Sequence, residues 1–369
     1  MKDKPDNPFN PQFGKRPSEF IGRDIIINDF LQGMANQDDP NRTSIITGIR
    51  GSGKTAILAD IHESLGAKKC LVVDITAKEG MLRDILDICI RDGKRWLPGN
   101  LGDITGFTFG AMGFSFGVTR SNKLEEHGFR YWLTDILRAL KKKNVPTVFL
   151  IDEVQNDAAE MREFATTYQH VLRENMDVAL LMAGLPSTVQ DVLNDKVLTF
   201  LRRSHRVQLE NIDVRIVAIA YENAFKKAQR SFKDDAIEQA AEASEGYPYL
   251  VQLLGFYLWR GAGNLITGKD VDQALVKSKI ELFKNVHDLI FFELSQKDRD
   301  FLFAMVEDPA ESSFGDIAAR MNVNTGYASR YRQRLITAGI IHSSSYGKLA
   351  YSPPYLKEFL LEKQAIQPL

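Results

Sequence analysis

Residues 48–55 read Gly48-Ile49-Arg50-Gly51-Ser52-Gly53-Lys54-Thr55, between the apolar run Ser44-Ile45-Ile46-Thr47 and the helix-like stretch Ala56 to Leu65. A strand that enters a helix through a glycine loop of this length restricts the chain to a small set of α/β folds. The glycines let the backbone curl with N–H groups pointing inward, and the following helix presents its positive N-terminal end. Together they make a cradle for a di- or triphosphate. Lys54 is placed to reach the β- and γ-phosphates and the Thr55 hydroxyl to ligate Mg²⁺. The expected ligands are ATP or ADP with Mg²⁺, and the candidate contacts are Gly48, Arg50, Gly51, Ser52, Gly53, Lys54, Thr55 and Ala56.

Val148-Phe149-Leu150-Ile151-Asp152-Glu153 supplies a second element. An apolar run ending in two carboxylates suits a parallel strand buried on both faces whose carboxyl end meets a ligand crevice. Asp152 is the candidate Mg²⁺ ligand. Glu153 is the candidate group that orients and polarises the attacking water, so Lys54, Asp152 and Glu153 are the expected catalytic set.

A chain of 369 residues is long for one core and suggests two or three domains. Charged residues at 26% and apolar ones at 44% permit a sizeable core, and the net charge of −1 argues against a globally basic surface. Cys70 and Cys89 fall in an expected strand and helix and read as buried thiols in a reducing compartment. No apolar stretch approaches the roughly 18 residues of a membrane span. The histidines and cysteines show no metal-ligand spacing. A cytoplasmic protein without membrane contact is expected.

The lead-in Asn7-Pro8-Phe9-Asn10-Pro11-Gln12-Phe13-Gly14 cannot form a long helix and carries aromatics in need of cover, so it is expected to lie extended over the main domain. From Asp24 to Leu209, helix-like and strand-like segments alternate, with strands at Thr43–Gly48, Cys70–Ile75, Val148–Asp152, Ala179–Ala183 and Arg206–Leu209. This predicts a parallel sheet with helices on both faces. The glycine-rich segment 97–120 interrupts the rhythm. Phe107, Phe109, Phe114, Phe116 and Val118 alternate around Gly110-Ala111-Met112-Gly113, which predicts an inserted β-hairpin. Its row of phenylalanines is expected either to pack on the domain's own surface or to contact a partner.

After Asn211 the pattern is helical through Lys284, and Glu245-Gly246-Tyr247-Pro248-Tyr249 breaks one helix and begins the next. A small bundle after such a sheet suggests a lid. The remaining residues read as a third unit: a helix capped at Ser295, a short helix from Phe314 to Met321, a turn at Asn322–Thr325, and a helix from Gly326 to Ile336. A hairpin from Gly339 to Ser352 follows. This order predicts a winged helix. Thr325, Tyr327, Arg330, Tyr331 and Arg334 are the candidate contacts to double-stranded DNA, with a protein-binding wing as the alternative. Arg332, two positions from both Arg330 and Arg334, cannot share their helix face.

With these pieces in order, the chain resembles P-loop ATPases of the AAA+/STAND group, specifically the Orc/Cdc6-like and archaeal-type ATPases that end in a winged helix. The motifs that carry the resemblance are Asn7-Pro8-Phe9, Phe20-Ile21-Gly22-Arg23, Arg50 to Thr55, Ile151-Asp152-Glu153, Ala183-Gly184-Leu185-Pro186 and Gly246-Tyr247-Pro248. The resemblance implies that Ile21, Gly22 and Arg23 line the base pocket and that Pro248 senses the bound phosphates. Where related ATPases place an Asn, Ser or Thr after the fourth strand, this chain has Met182-Ala183-Gly184, with Ser187 and Thr188 as weak substitutes, which implies slow hydrolysis. The lid also lacks the sensor arginine common in ring-forming relatives. Arg202, Arg203 and Arg206 stand where an arginine finger for a neighbouring subunit would lie; a basic loop capping a strand is the equal alternative.

The fold class expected is α/β: a P-loop NTPase three-layer sandwich with a parallel sheet at 1–211, an α-helical lid at 212–288 and a winged helix at 289–369. The function expected is an ATP-dependent switch that hydrolyses slowly and binds DNA. The alternatives are a DNA-binding regulator that never turns nucleotide over, and a STAND-type signalling or defence switch whose wing binds protein. A homo-oligomer or an effector protein would be the further partner.

Overall fold

The computed structural model describes residues 6–12, 21–98, 128–154, 159–196 and 198–366. The hairpin expected at 105–119 lies outside the described residues, as does Phe20. Two compact units emerge. One joins Ile25–Thr47 to Ile57–Gln208, and the other joins Met1–Asp24 and Gly48–Ala56 to Leu209–Leu369.

The first unit is built on five parallel strands: β1 (Thr43–Thr47), β2 (Leu71–Thr76), β3 (Thr147–Asp152), β4 (Val178–Gly184) and β5 (His205–Gln208). Their spatial order is β2-β3-β4-β1-β5. They fall where the apolar runs placed them, and β3 and β4 are buried along their whole length, as strands covered on both faces must be. Alternation sorts the side chains. Val73, Ile75, Phe149, Ile151, Leu180 and Met182 join one core with α3 (Met81–Gly93), α4 (Phe129–Lys142) and α5 (Ala159–Arg173), through Ile85, Leu133, Ile136 and Phe164. Ile46 and Leu181 point the other way, towards α1 (Asp24–Gly33) and α2 (Lys54–Gly66). With Ile26, Phe30 and Ile61 they line a cavity of about 290 Å³ beside β5. Helix α6 (Pro186–Asn194) follows β4 and was not foreseen; Pro186 opens it, at the position where a missing N–H costs nothing.

In the second unit, helices α7 (Val214–Lys227), α8 (Ala236–Ala243), α9 (Pro248–Gly261) and α10 (Gly268–Leu282) form the bundle expected after 211. The two-residue strands β6 (Ser231–Phe232) and β7 (Leu265–Ile266) pair in parallel across it. Helix α10 runs on through a π-helical turn, Phe283–His287, into α11 (Asp288–Glu293). The lead-in at 6–12 covers this bundle. Phe9 is buried against Tyr221 and Phe225, and its ring occupies the space beside Gly255, where a Cβ would come within 2.4 Å of it. Asn7 and Asn10 hold the backbone in place through the Phe256 carbonyl and the Gln252 side chain. Burying one phenylalanine stabilises such an arm by about 1.5–3 kcal/mol.

The chain closes with α12 (Gln296–Val306), β8 (Ser312–Ser313), α13 (Phe314–Arg320), α14 (Thr325–Thr337), β9 (Ile341–Ser345), β10 (Lys348–Tyr351) and α15 (Leu356–Ile366). The antiparallel order β8-β10-β9 and the turn at Gly347, φ +74°, give the winged-helix topology. Ser295 and Asp298 form a reciprocal capping box at the start of α12, and Asn324 caps α14 through the Tyr327 N–H. The core of this region, with Phe301, Leu302, Ile317 and Leu335, is continuous with Tyr247, Leu250 and Val286 of the bundle. Among the described residues, no helix is long and apolar enough to cross a membrane.

Candidate functional site

The loop at 48–53 follows β1, and α2 begins at Lys54, so the order read from the residues is the order found. Gly51 and Gly53 take φ of +74° and +92°, a region that costs an L side chain about 1–2 kcal/mol. Lys54 folds across the loop, its Nζ donating to the carbonyls of Gly48 (2.7 Å) and Ile49 (2.9 Å). Ser52 is buried and its Oγ has no hydrogen-bond partner among the described residues. A buried hydroxyl left unpaired in a glycine-lined loop fits a site built to hold an anion's oxygens. Thr55 is exposed on the first turn of α2.

Residues 246–249 flank the same loop. Pro248 opens α9 and faces Gly53: a Cβ built there would lie 3.9 Å from Pro248. The Tyr247 hydroxyl donates to the Arg50 carbonyl, and the Tyr249 N–H donates to the Gly51 carbonyl (3.2 Å). Arg50 makes an ion pair with Glu293 at the end of α11 (2.5 Å), and Ile49 packs against the bundle core. Within this unit the structure therefore brings Pro248 to the loop. The signal for Tyr247 was present in the Gly-Tyr-Pro triplet, but its partner could not be read from spacing.

Ile21, Gly22 and Arg23 lie against residues 210–212. Ile21 shares a core with Ile212, and a Cβ on Gly22 (φ +69°) would come within 2.9 Å of the Ile212 side chain. Arg23 is buried. It donates to the Glu210 carbonyl (2.5 Å) while its Nε has no partner among the described residues, and burial lowers its pKa against the opposing pull of Glu210.

In the sheet unit, Asp152 is buried at the end of β3 and accepts from the N–H of Glu153 (2.8 Å). Glu153 is exposed and holds a left-handed φ of +54°, a strained conformation for a non-glycine residue. β4 ends in Met182-Ala183-Gly184; beyond it, the Thr188 hydroxyl is taken up by the Leu185 carbonyl (3.0 Å), and Ser187 is half-buried. Arg202 is anchored on the Leu193 carbonyl (2.7 Å), Arg206 reaches the Arg202 carbonyl (3.1 Å), and Arg203 is exposed. Among the described residues, no cluster of three His, Cys, Asp or Glu side chains could hold a metal ion.

On α14, Thr325, Tyr327 and Arg330 are exposed. Tyr331 is buried and hydrogen-bonds the Tyr327 hydroxyl (2.9 Å). Arg334 donates to Asp298 (2.9 Å) and to the Ser295 hydroxyl (2.7 Å), tying α14 to the cap of α12. Arg332, on another face, lies over the ring of Phe314.

Residues 38–193 match a family described as AAA domain, and residues 284–360 match a domain of unknown function (DUF8462). No curated protein matches the sequence. The fold is shared along nearly the whole chain with solved structures that include the following two. The Walker-type ATPase PABY2304 of Pyrococcus abyssi is 14% identical with a TM-score of 0.63, covering 94% of this chain and 97% of its own. The ORC2 protein of Aeropyrum pernix, solved with ADPNP and ADP, is 13% identical with a TM-score of 0.55, covering 96% and 98%.

Proposed function

We propose that this chain, which carries a P-loop AAA domain on the fold of the archaeal Orc/Cdc6 and Walker-type ATPases, is an ATP-binding switch that hydrolyses slowly and whose winged helix binds double-stranded DNA. The observation that carries the reading is the loop at 48–53. It has two left-handed glycines, a lysine folded over its carbonyls and a buried unpaired hydroxyl, and it is contacted directly by the segment 247–249. Lys54 would neutralise the β- and γ-phosphates. Thr55 and Asp152 would hold Mg²⁺, which supplies charge neutralisation on the phosphates when bound. Glu153 would orient the attacking water. Ile21, Gly22 and Arg23 would receive the base, with Pro248 against the phosphates.

The proposed organisation is an ATPase domain at 1–211, a lid at 212–288 and a winged helix at 289–369, working in the cytoplasm. Slow turnover is supported by the absence of a polar side chain at Met182-Ala183-Gly184. DNA binding is supported by the topology of residues 296–351 and by the exposed Thr325, Tyr327 and Arg330. A second reading, a winged helix that contacts protein, draws on Tyr331 and the exposed Arg334 already having hydrogen-bond partners within the domain.

The test is nucleotide titration and phosphate release with purified protein, with and without duplex DNA. Lys54→Ala is expected to abolish ATP binding, and Glu153→Gln to retain binding and stop turnover. Unchanged affinity in the lysine variant ends the proposal.

A further inference from the structure

A trans peptide holds its C=O and N–H in opposite directions, so whatever fixes one also aims the other. In the P-loop, the peptide joining Arg50 to Gly51 is fixed from outside, because the Tyr247 hydroxyl donates to the Arg50 carbonyl. The next carbonyl, that of Gly51, accepts from the Tyr249 N–H at 3.2 Å. Tyr247 is fully buried, and burial raises its pKa far above neutrality, so the hydroxyl remains a proton donor at any working pH. The ring sits hard against the loop: a Cβ on Gly51 would lie 2.3 Å from the hydroxyl oxygen and 2.8 Å from the ring. Glycine is therefore demanded at 51 twice, by its φ of +74° and by this ring.

We propose that Tyr247 is a positioning residue for nucleotide binding: by holding the Arg50 carbonyl outward, its hydroxyl turns the Gly51 N–H away from the lid and into the cradle as a donor for phosphate oxygen. The inference rests on the reading that residues 48–55 bind a nucleotide phosphate. It goes beyond that reading by giving part of the loop's shape to a side chain 197 residues distant in sequence. Tyr249 provides the internal control. Its backbone supports the loop, while its hydroxyl accepts from Asn285 (3.0 Å).

The experiment compares wild type, Tyr247→Phe, Tyr249→Phe and Lys54→Ala by titration with ADP and with a non-hydrolysable ATP analogue, alongside the thermal midpoint of each nucleotide-free protein. Tyr247→Phe is expected to weaken both nucleotides about tenfold, the weight of one well-placed hydrogen bond, and Tyr249→Phe to bind as wild type, with similar midpoints for the two. In turnover, Tyr247→Phe is expected to raise KM more than it lowers kcat, because the donor acts on bound substrate and product alike. In wild type, hydrogen exchange at the Gly51 amide is expected to slow when ADP is added, a readout that needs no substitution. Equal affinity in Tyr247→Phe and wild type, an equal loss in Tyr249→Phe, or Gly51 exchange indifferent to ADP overturns the assignment. If Lys54→Ala also binds as wild type, the nucleotide reading itself fails; if it loses binding while Tyr247→Phe keeps it, only the positioning role fails.

Discussion

Gly246 carries the sharpest packing constraint in the bundle. Its φ is +65°, and a Cβ built there would lie 1.8 Å from the carbonyl oxygen of Ile212 and 2.9 Å from its carbonyl carbon. Those are backbone atoms, which cannot swing aside as a side chain can, and the Ile212 N–H also donates to the Gly246 carbonyl (2.8 Å). Gly246→Ala must therefore adopt a left-handed conformation (about 1–2 kcal/mol), push the 211–213 backbone away (about 1–3 kcal/mol) and stretch one hydrogen bond (about 1 kcal/mol), for a total of about 3–6 kcal/mol. Gly347 in the wing has a similar φ, +74°, and a Cβ there would meet no atom within 4 Å, so Gly347→Ala isolates the conformational part at about 1–2 kcal/mol. Denaturant unfolding followed by circular dichroism, with both slopes and midpoints compared, measures the pair. Gly246→Ala costing no more than Gly347→Ala would refute the claim that close backbone approach, and not φ alone, requires glycine before Tyr247.

Three further outcomes follow from side chains in the C-terminal region. His287 is buried in the π-helical turn between the rings of Phe283 and Phe359, beside Asp288, which pairs with Lys363; burial pulls its pKa down from 6.5 to about 3. The fold thus favours neutral imidazole and the unfolded chain takes the proton first. The contribution is complete above about pH 6.5 and falls by up to about 1.4 kcal/mol per unit as the pH drops towards 3. His287→Leu is expected to flatten that part of the stability profile, and an unaltered profile contradicts the burial argument. Arg334→Ala leaves the buried Asp298 with only its capping partners and is expected to cost about 1–3 kcal/mol of stability. The exposed Arg330→Ala should change stability by less than about 0.5 kcal/mol while lowering the salt slope of duplex binding by about 0.9. A DNA affinity and salt slope indifferent to Arg330 favour the protein-contacting wing.

Much of this molecule is written in short-range patterns. The apolar runs at 43–47, 147–152 and 178–184, the glycine spacing at 48–53, the Ser295 and Asn324 caps and the wing at 341–351 are each set by neighbours within a turn or a strand, and such signals survive in a single sequence. The lead-in at 7–12 was legible as extended and in need of cover. That Phe9 finds its cover on α7 and α9 depends on helices more than two hundred positions away, and no local period encodes it.

The residues alone therefore determined a parallel α/β sheet fed by a phosphate loop, a helical bundle and a winged helix, because backbone geometry and hydrophobic alternation are local properties. Only the tertiary structure decided which donors are already spent. Arg334, though exposed, is paired with Asp298, the Tyr331 hydroxyl is bonded to that of Tyr327, and the Tyr247 hydroxyl is committed to the Arg50 carbonyl. A hydrogen bond is settled by distance and direction in space, and a list of residues contains neither.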